Sequence, residues 1–165
     1  MLINDYNRLS EADAADFAAT LVAIPAFTTA LVESRPFASK AAMRERAADA
    51  AAAWSQTEVQ LALSGHPRIG ERASAAEPGA GHSAREQGAV AAAGDELRQR
   101  IAEGNRRYEA RFDRIFLVRA AGRSPDRILA QLEERLGNDD ATELAVVASE
   151  LRDITLLRLD ESVTE

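Results

Sequence analysis

A chain of 165 residues with 46% hydrophobic and 28% charged residues has the size and composition of one soluble domain with a proper core. Its net charge of −7 counts against nonspecific nucleic-acid binding, which needs a basic surface, but leaves room for an anionic small substrate held by a few arginines. With no cysteine, disulfides, thiolate nucleophiles and cysteine-ligated zinc or iron–sulfur sites are excluded.

The start, "MLINDYNRLSEADAADF", carries acids early and lacks an apolar stretch of signal-peptide length. No apolar run is long enough to cross a bilayer, and the closing "ESVTE" is not a peroxisomal address, so a cytoplasmic protein with no membrane partner is expected. Ser10 with Asp13 three residues on predicts an N-cap and a helix that ends before Pro25. A short helix from about Thr28 should stop at "RPF", where Pro36 removes a donor and restricts Arg35. Ser39 then caps "KAAMRERAADAAAAW", an alanine-dense helix anchored by Trp54, and "QTEVQLALS" makes another short helix ended by Gly65 as a C′ residue.

From Glu71 to His82 the composition shifts to Ala, Ser, Gly and Pro and reads as a surface loop. A helix starts near Ser83, with a break around Gly94, and runs towards Phe112. "RIFLVRA", residues 114–120, is strand-like but too short and solitary to make a sheet. Gly122 to Pro125 form a turn, "DRILAQLEERLG" is a helix closed by Gly137, and a last helix runs from about Asp140 to Asp160. No repeat or linker interrupts the chain. The expected fold is all-α, a compact helical bundle forming a single domain over residues 1–165.

Three places concentrate chemistry. His66, one of only two histidines, precedes Pro67 in "LSGHPRIGER". A histidine just past a helix end is often a capping residue favoured by the dipole there. It is also the side chain whose ordinary pKa lies near neutrality, and the proline would aim it reproducibly. In "SAREQ", Ser83, Glu86 and Gln87 are spaced i, i+3, i+4 and project from one side of a helix start. Ser83 with Glu86 matches a capping box, which leaves Gln87 unexplained; the three together also suit a polar, anionic ligand. In the last helix, Leu144, Val147, Leu151 and Ile154 form an apolar stripe whose next step is Arg158. That arginine is either a snorkelling side chain near the helix end or a planar fork held for a carboxylate. A metal site built from His66, His82 and Glu86 has poor spacing, so no metal is expected. Arg68, Glu71 and Arg72 remain open between a pocket rim and solvent.

Taken together, "SGHPRIGER", "HSAREQ" and the stretch from "GNRRYEARFDRIFLVRAAGRSPDRILAQLEERLGNDD" to "LRDITLLRL" resemble the 2-oxo-4-hydroxy-4-carboxy-5-ureidoimidazoline (OHCU) decarboxylases. The resemblance covers nearly the whole chain; each motif alone is weak, and their order and spacing are specific. It implies an all-helical homodimer that needs no cofactor or metal and converts OHCU to (S)-allantoin and CO2. It puts the catalytic histidine at His66, followed by Pro67, and leaves Glu86, in the family's substrate-contacting Ser-x-x-Glu-Gln, either a catalytic role, orienting His66 or raising its basicity, or a contact to substrate N–H groups. It puts substrate contacts at Ser83, Gln87 and Arg158, and mainly backbone contacts at Val118, Arg119, Ala120, Ala121 and Gly122. Many relatives read His-Pro-Asp where this chain has Arg68, and some carry a fused hydroxyisourate hydrolase domain. This chain stops at Glu165 without that domain's closing Tyr-Arg-Gly-Ser, so a stand-alone enzyme is expected. The competing reading from another class is a non-catalytic helical ligand-binding or oligomerisation module; another cofactor-free lyase or isomerase acting on a ureide is a further enzyme reading.

Overall fold

The computed structural model describes residues 1–66, 68–69, 90 and 93–165. Among them lie eight α-helices and no strand, as an all-α fold requires. They are α1 (Ile3–Arg8), α2 (Glu11–Leu21), α3 (Pro25–Glu33), α4 (Lys40–Ala52), α5 (Gln56–Ser64), α6 (Asp95–Phe112), α7 (Pro125–Arg135) and α8 (Asp140–Ser162). None of these helices is long and apolar enough to cross a membrane. The chain forms two compact units, one of Met1–Ala62 with Arg152–Glu165 and the other of Leu63–Leu151.

In the first unit the chain ends pair with each other. Ile3 N–H donates to the Thr164 carbonyl at 2.9 Å, and Thr164 N–H returns the bond to Met1 at 2.9 Å. The helix α1 has no counterpart in the sequence reading; its Tyr6 ring packs against Phe17 and Phe37, with centroids 5.3 and 6.2 Å away. Asn7 fixes the segment after α3 by a reciprocal pair with the Phe37 backbone, at 2.8 and 2.9 Å. Ser10 caps α2 as expected, accepting from Asp13 N–H at 3.1 Å. Helix α3 begins at Pro25 rather than near Thr28, because a proline at the first helical position loses no bond a helix would make. It packs on both α2 and α4. Ser39 caps α4, whose buried Met43, Ala47 and Ala51 recur every four residues as one inward face. Trp54 anchors the end of that helix, edge-on to Phe27 at 5.8 Å. Ser55 and Glu58 open α5 with a capping box: Ser55 N–H donates to the Glu58 carboxylate at 2.8 Å and Glu58 N–H to Ser55 Oγ at 3.3 Å.

The second unit is built around a core that includes Ile69, Val90, Ile101, Tyr108, Phe116 and Leu132. Helix α7 packs on α6 at Gly104, where a Cβ would meet Leu132 Cδ2 at 2.5 Å, so a larger residue would force the buried Leu132 side chain to shift. Gly94 caps α6, so the break expected there is present. Residues 115–120 form no strand. Ser124 accepts from Arg127 N–H and Pro125 takes the first helical position, which starts α7 directly after the turn. Asp139 opens α8 by accepting from Thr142 N–H at 2.8 Å and from its hydroxyl at 2.9 Å, and these bonds lower the Asp139 pKa.

Candidate functional site

Helix α5 delivers His66. The His66 N–H turns back to the Leu63 carbonyl at 3.0 Å, a tightened last turn, and the side chain is half-buried. Gly65 ends the helix without the left-handed backbone expected of a C′ glycine, since only Gly122 among the described glycines has a positive φ. The segment beyond His66 is tied to α6 at two points one turn apart. Arg68 grips the Glu109 carboxylate with both Nε and Nη2, at 2.5 and 3.0 Å. Asn105, only 7% exposed, donates from Nδ2 to the Ile69 carbonyl at 3.1 Å. Arg68, open between rim and solvent in the sequence reading, is therefore a strap on the turn that carries His66. A cavity of about 340 Å³ lies beside this strap, lined by Arg68, Ile69, Val90, Arg98, Asn105 and Glu109 among others. Arg68 and Arg98 are both engaged by carboxylates, Glu109 and Asp95, so its wall presents paired charge.

Residues 118–122 lie in the same unit. With no strand partner, this segment takes its shape from side chains on α7 and α8. Arg135 Nη1 donates to the Leu117 carbonyl at 2.7 Å, and the Glu150 carboxylate accepts the Arg119 N–H at 2.7 Å. The Ala120 carbonyl accepts the Arg123 N–H at 3.0 Å across a tight turn, and Gly122 sits at φ +76° in its third position, the signature of a type II turn. Among the described residues, the Val118 N–H and carbonyl and the Ala120 and Ala121 N–H groups meet no protein partner, although Val118 and Ala120 are buried. Buried peptide groups are rarely left in that state, so these are groups with bonds to give. The Arg119 side chain is half-buried, and its Nε is buried without a hydrogen-bond partner.

Behind this segment is a buried charged cluster. Glu143 is fully buried and Arg135 is 5% exposed. The Glu143 carboxylate accepts from Arg135 Nε at 2.8 Å and Nη2 at 2.6 Å, from Asn138 Nδ2 at 2.7 Å and from the Tyr108 hydroxyl. The Arg135 guanidinium also lies over the Phe116 ring at 4.6 Å. Burial, followed by the bond to Glu143, raises the Tyr108 pKa well above its ordinary value, so the phenol stays a donor.

Arg158 belongs to the other unit. It is 4% exposed, and its Nη1 donates to the Leu21 carbonyl at 3.1 Å. It does not snorkel: the guanidinium is buried, in line with the buried Leu144, Val147, Leu151 and Ile154 as the spacing predicts. Pro67, Ser83, Glu86 and Gln87, with the loop assigned to Glu71–His82, lie outside the described residues. Of the expected site residues, His66 and residues 118–122 share one unit and Arg158 stands in the other. Asn105, Arg123, Arg135, Glu143 and Glu150, which hold the site's backbone, escaped the sequence reading.

A family model described as OHCU decarboxylase matches residues 7–160. The 2-oxo-4-hydroxy-4-carboxy-5-ureidoimidazoline decarboxylase of Haloferax volcanii is 31% identical over 133 residues, covering 78% of this chain and 75% of that one. The uric acid degradation bifunctional protein TTL of Arabidopsis thaliana is 37% identical over 101 residues, 59% of this chain and 31% of that protein. A crystal structure of OHCU decarboxylase in the presence of (S)-allantoin superposes with a TM-score of 0.74 at 26% identity, covering 88% of this chain and 96% of the other. A structure of (S)-allantoin synthase superposes equally well, with a TM-score of 0.74 over 99% of this chain and 54% of the other; at 15% identity it speaks for the fold alone.

Proposed function

Because the chain belongs to the OHCU decarboxylase family, we propose that it is the carboxy-lyase that converts 2-oxo-4-hydroxy-4-carboxy-5-ureidoimidazoline to (S)-allantoin and CO2 in urate degradation. The bond to the carboxylate carbon breaks, and its electron pair is taken up by the adjoining ring imine, whose nitrogen gains a proton. The resulting enol gives up its hydroxyl proton while the carbon bearing the ureido group gains one. One proton is consumed for each CO2 released. The ring supplies the electron sink that other decarboxylases borrow from a cofactor, so the protein need only bind, orient and move protons.

In this reading His66 is the general acid/base, taking the hydroxyl proton and delivering one to a single face of the ring carbon. Its half-buried place after α5, with the turn strapped by Arg68 and Asn105, suits that work. Glu86 orients His66 or raises its basicity, and Pro67 stiffens the turn. Arg158, a buried cation, fixes the substrate carboxylate. Ser83 and Gln87 hold the ureido and ring edges together with the backbone of Val118, Arg119, Ala120, Ala121 and Gly122, where free peptide groups support the assignment. A cytoplasmic homodimer with no metal, nucleic-acid or membrane partner completes the proposal, and light scattering checks its mass.

The observation that carries the reading is the family match over residues 7–160, which takes in every residue given a role. The test is to generate OHCU freshly from urate with urate oxidase and hydroxyisourate hydrolase, add the protein, and follow allantoin by circular dichroism. Faster formation with an excess of the (S) enantiomer is expected. A rate and enantiomer ratio equal to the enzyme-free decay would refute the activity. His66→Ala should lose at least about a hundredfold in rate, the usual contribution of a general acid/base; full activity in that variant would refute the mechanism while leaving the activity standing.

A further inference from the structure

We propose that Glu150 is a positioning residue for this reaction: its carboxylate fixes the backbone of residues 118–122 so that their free peptide groups hold the substrate ring. The inference rests on the decarboxylase reading above. It starts from the geometry of a segment that has no strand partner and is nevertheless buried at Val118 and Ala120. Such a segment keeps one conformation only if side chains set it. Glu150 does so twice. Its Oε2 accepts the Arg119 N–H at 2.7 Å, and its Oε1 accepts from Arg123 Nη1 at 3.1 Å. Arg123 closes the turn through its own N–H to Ala120 and is itself steadied by Gln131 Oε1 at 2.9 Å. The carboxylate thus spans the turn from its start to its end.

The chemistry of the anchor argues for more than packing. A carboxylate this deeply buried carries a desolvation cost that a neutral side chain would avoid, and a guanidinium partner offsets it only when the geometry is held. What the charged pair secures is which peptide groups are occupied. With the Arg119 N–H and the Ala120 carbonyl taken, the N–H groups of Val118, Ala120, Ala121 and Gly122 and the carbonyls of Val118, Arg119, Ala121 and Gly122 remain, a set of four donors and four acceptors. A planar ureide ring and its ureido arm offer carbonyl oxygens and N–H groups that match both kinds.

The test compares Glu150→Gln and Glu150→Ala with the wild type in the coupled OHCU assay, alongside hydrogen exchange at the Arg119 amide. Glu150→Gln keeps size and an acceptor and is the variant to read if Glu150→Ala fails to fold. Glu150→Gln should raise KM by about tenfold, the scale of one lost charge-assisted hydrogen bond, with kcat within about twofold. The Arg119 amide should exchange faster, and the (S) excess should fall. Variants with lowered thermal stability but unchanged KM, kcat and enantiomer excess would overturn the inference, leaving Glu150 as mere scaffolding. A fall in kcat with KM unchanged would overturn it as well. A wild type that fails to accelerate OHCU decay would instead bring down the decarboxylase reading, and this inference with it.

Discussion

Replacing Glu143 with alanine strips the acceptor from four donors at once. Arg135 Nε and Nη2, Asn138 Nδ2 and the Tyr108 hydroxyl all converge on that carboxylate, which is fully buried. The Arg135 charge would be left beneath the surface with the Leu117 carbonyl, the Tyr108 hydroxyl at 3.5 Å from its Nη2 and two aromatic rings, but no carboxylate. Breaking a buried pair in this way costs about 3–5 kcal/mol, because a bare buried charge is dearer than the pair was favourable. For a chain of this length each kcal/mol moves the unfolding temperature by about 2–4 °C, so a fall on the order of 10 °C is expected. Urea unfolding of wild type, Glu143→Ala and the double variant Arg135→Met/Glu143→Leu measures it. The double variant removes both charges and should recover most of the loss. A cost below about 1 kcal/mol for Glu143→Ala, or a double variant no more stable than the single, would refute the argument. The functional consequence runs through Leu117: once Arg135 is released, the segment leading to residues 118–122 loses its first anchor.

Two further outcomes follow from groups whose surroundings are unusual. Tyr6 is fully buried with an unpartnered hydroxyl, and burial pushes its pKa from 10.0 up to about 12, the nearby Arg35 guanidinium offsetting only part. A raised folded pKa favours the neutral phenol, so this contribution is intact below pH 10 and is lost as pH rises towards about 12. Tyr6→Phe should flatten that alkaline decline in urea midpoints and cost nothing at pH 7; an unchanged alkaline slope would count against the burial argument, Tyr108 being present in both proteins. Gly122→Ala should cost about 1 kcal/mol, because φ +76° strains any side chain. Gly65→Ala, which has open space around its Cβ and ordinary φ, should stay within about 0.5 kcal/mol of wild type. Equal losses at the two positions would show that conformation does not distinguish them.

The helices were legible where local chemistry starts and stops them. Ser10 and Ser39 act within one turn, so short sequence windows suffice to find them. Helix α1 was not legible, because six residues with no side-chain cap carry little local signal. Its order comes from Tyr6 on Phe17 and Phe37 and from the pairing of the chain ends, contacts that join residues far apart in sequence. Pro25 carries two signals, of which a short window reads one. The helix α2 does end before it, as expected, but α3 starts at it rather than near Thr28, because the same fixed φ that blocks a helix interior is pre-organised for the first helical position. Gly65 marked the end of α5 correctly, yet the helix ends by tightening its last turn at His66.

At the site, the sequence revealed residues of unusual type in constrained places and hid those that hold them. His66 stands out because histidine is scarce, and Arg158 because a charge falls in an apolar stripe. The rule that found Arg158 also reaches Glu143 and Glu150. Stepping back from Arg158 through Ile154 by fours and threes gives Glu150, Val147 and Glu143, all of them buried. An acid in a helix is ordinarily read as solvated surface, so an apolar stripe through Leu151 and Leu144 leaves out the two carboxylates beside them. A charge of either sign on the inward side of a helix must be paired to remain there. Here the pairing has a direction: Glu143 with Arg135 reaches Leu117, and Glu150 with Arg123 reaches Arg119 and the turn. Both buried acids of α8 thus terminate on a buried segment that lacks a backbone ladder. That convergence is why the site's backbone can be irregular and still be fixed.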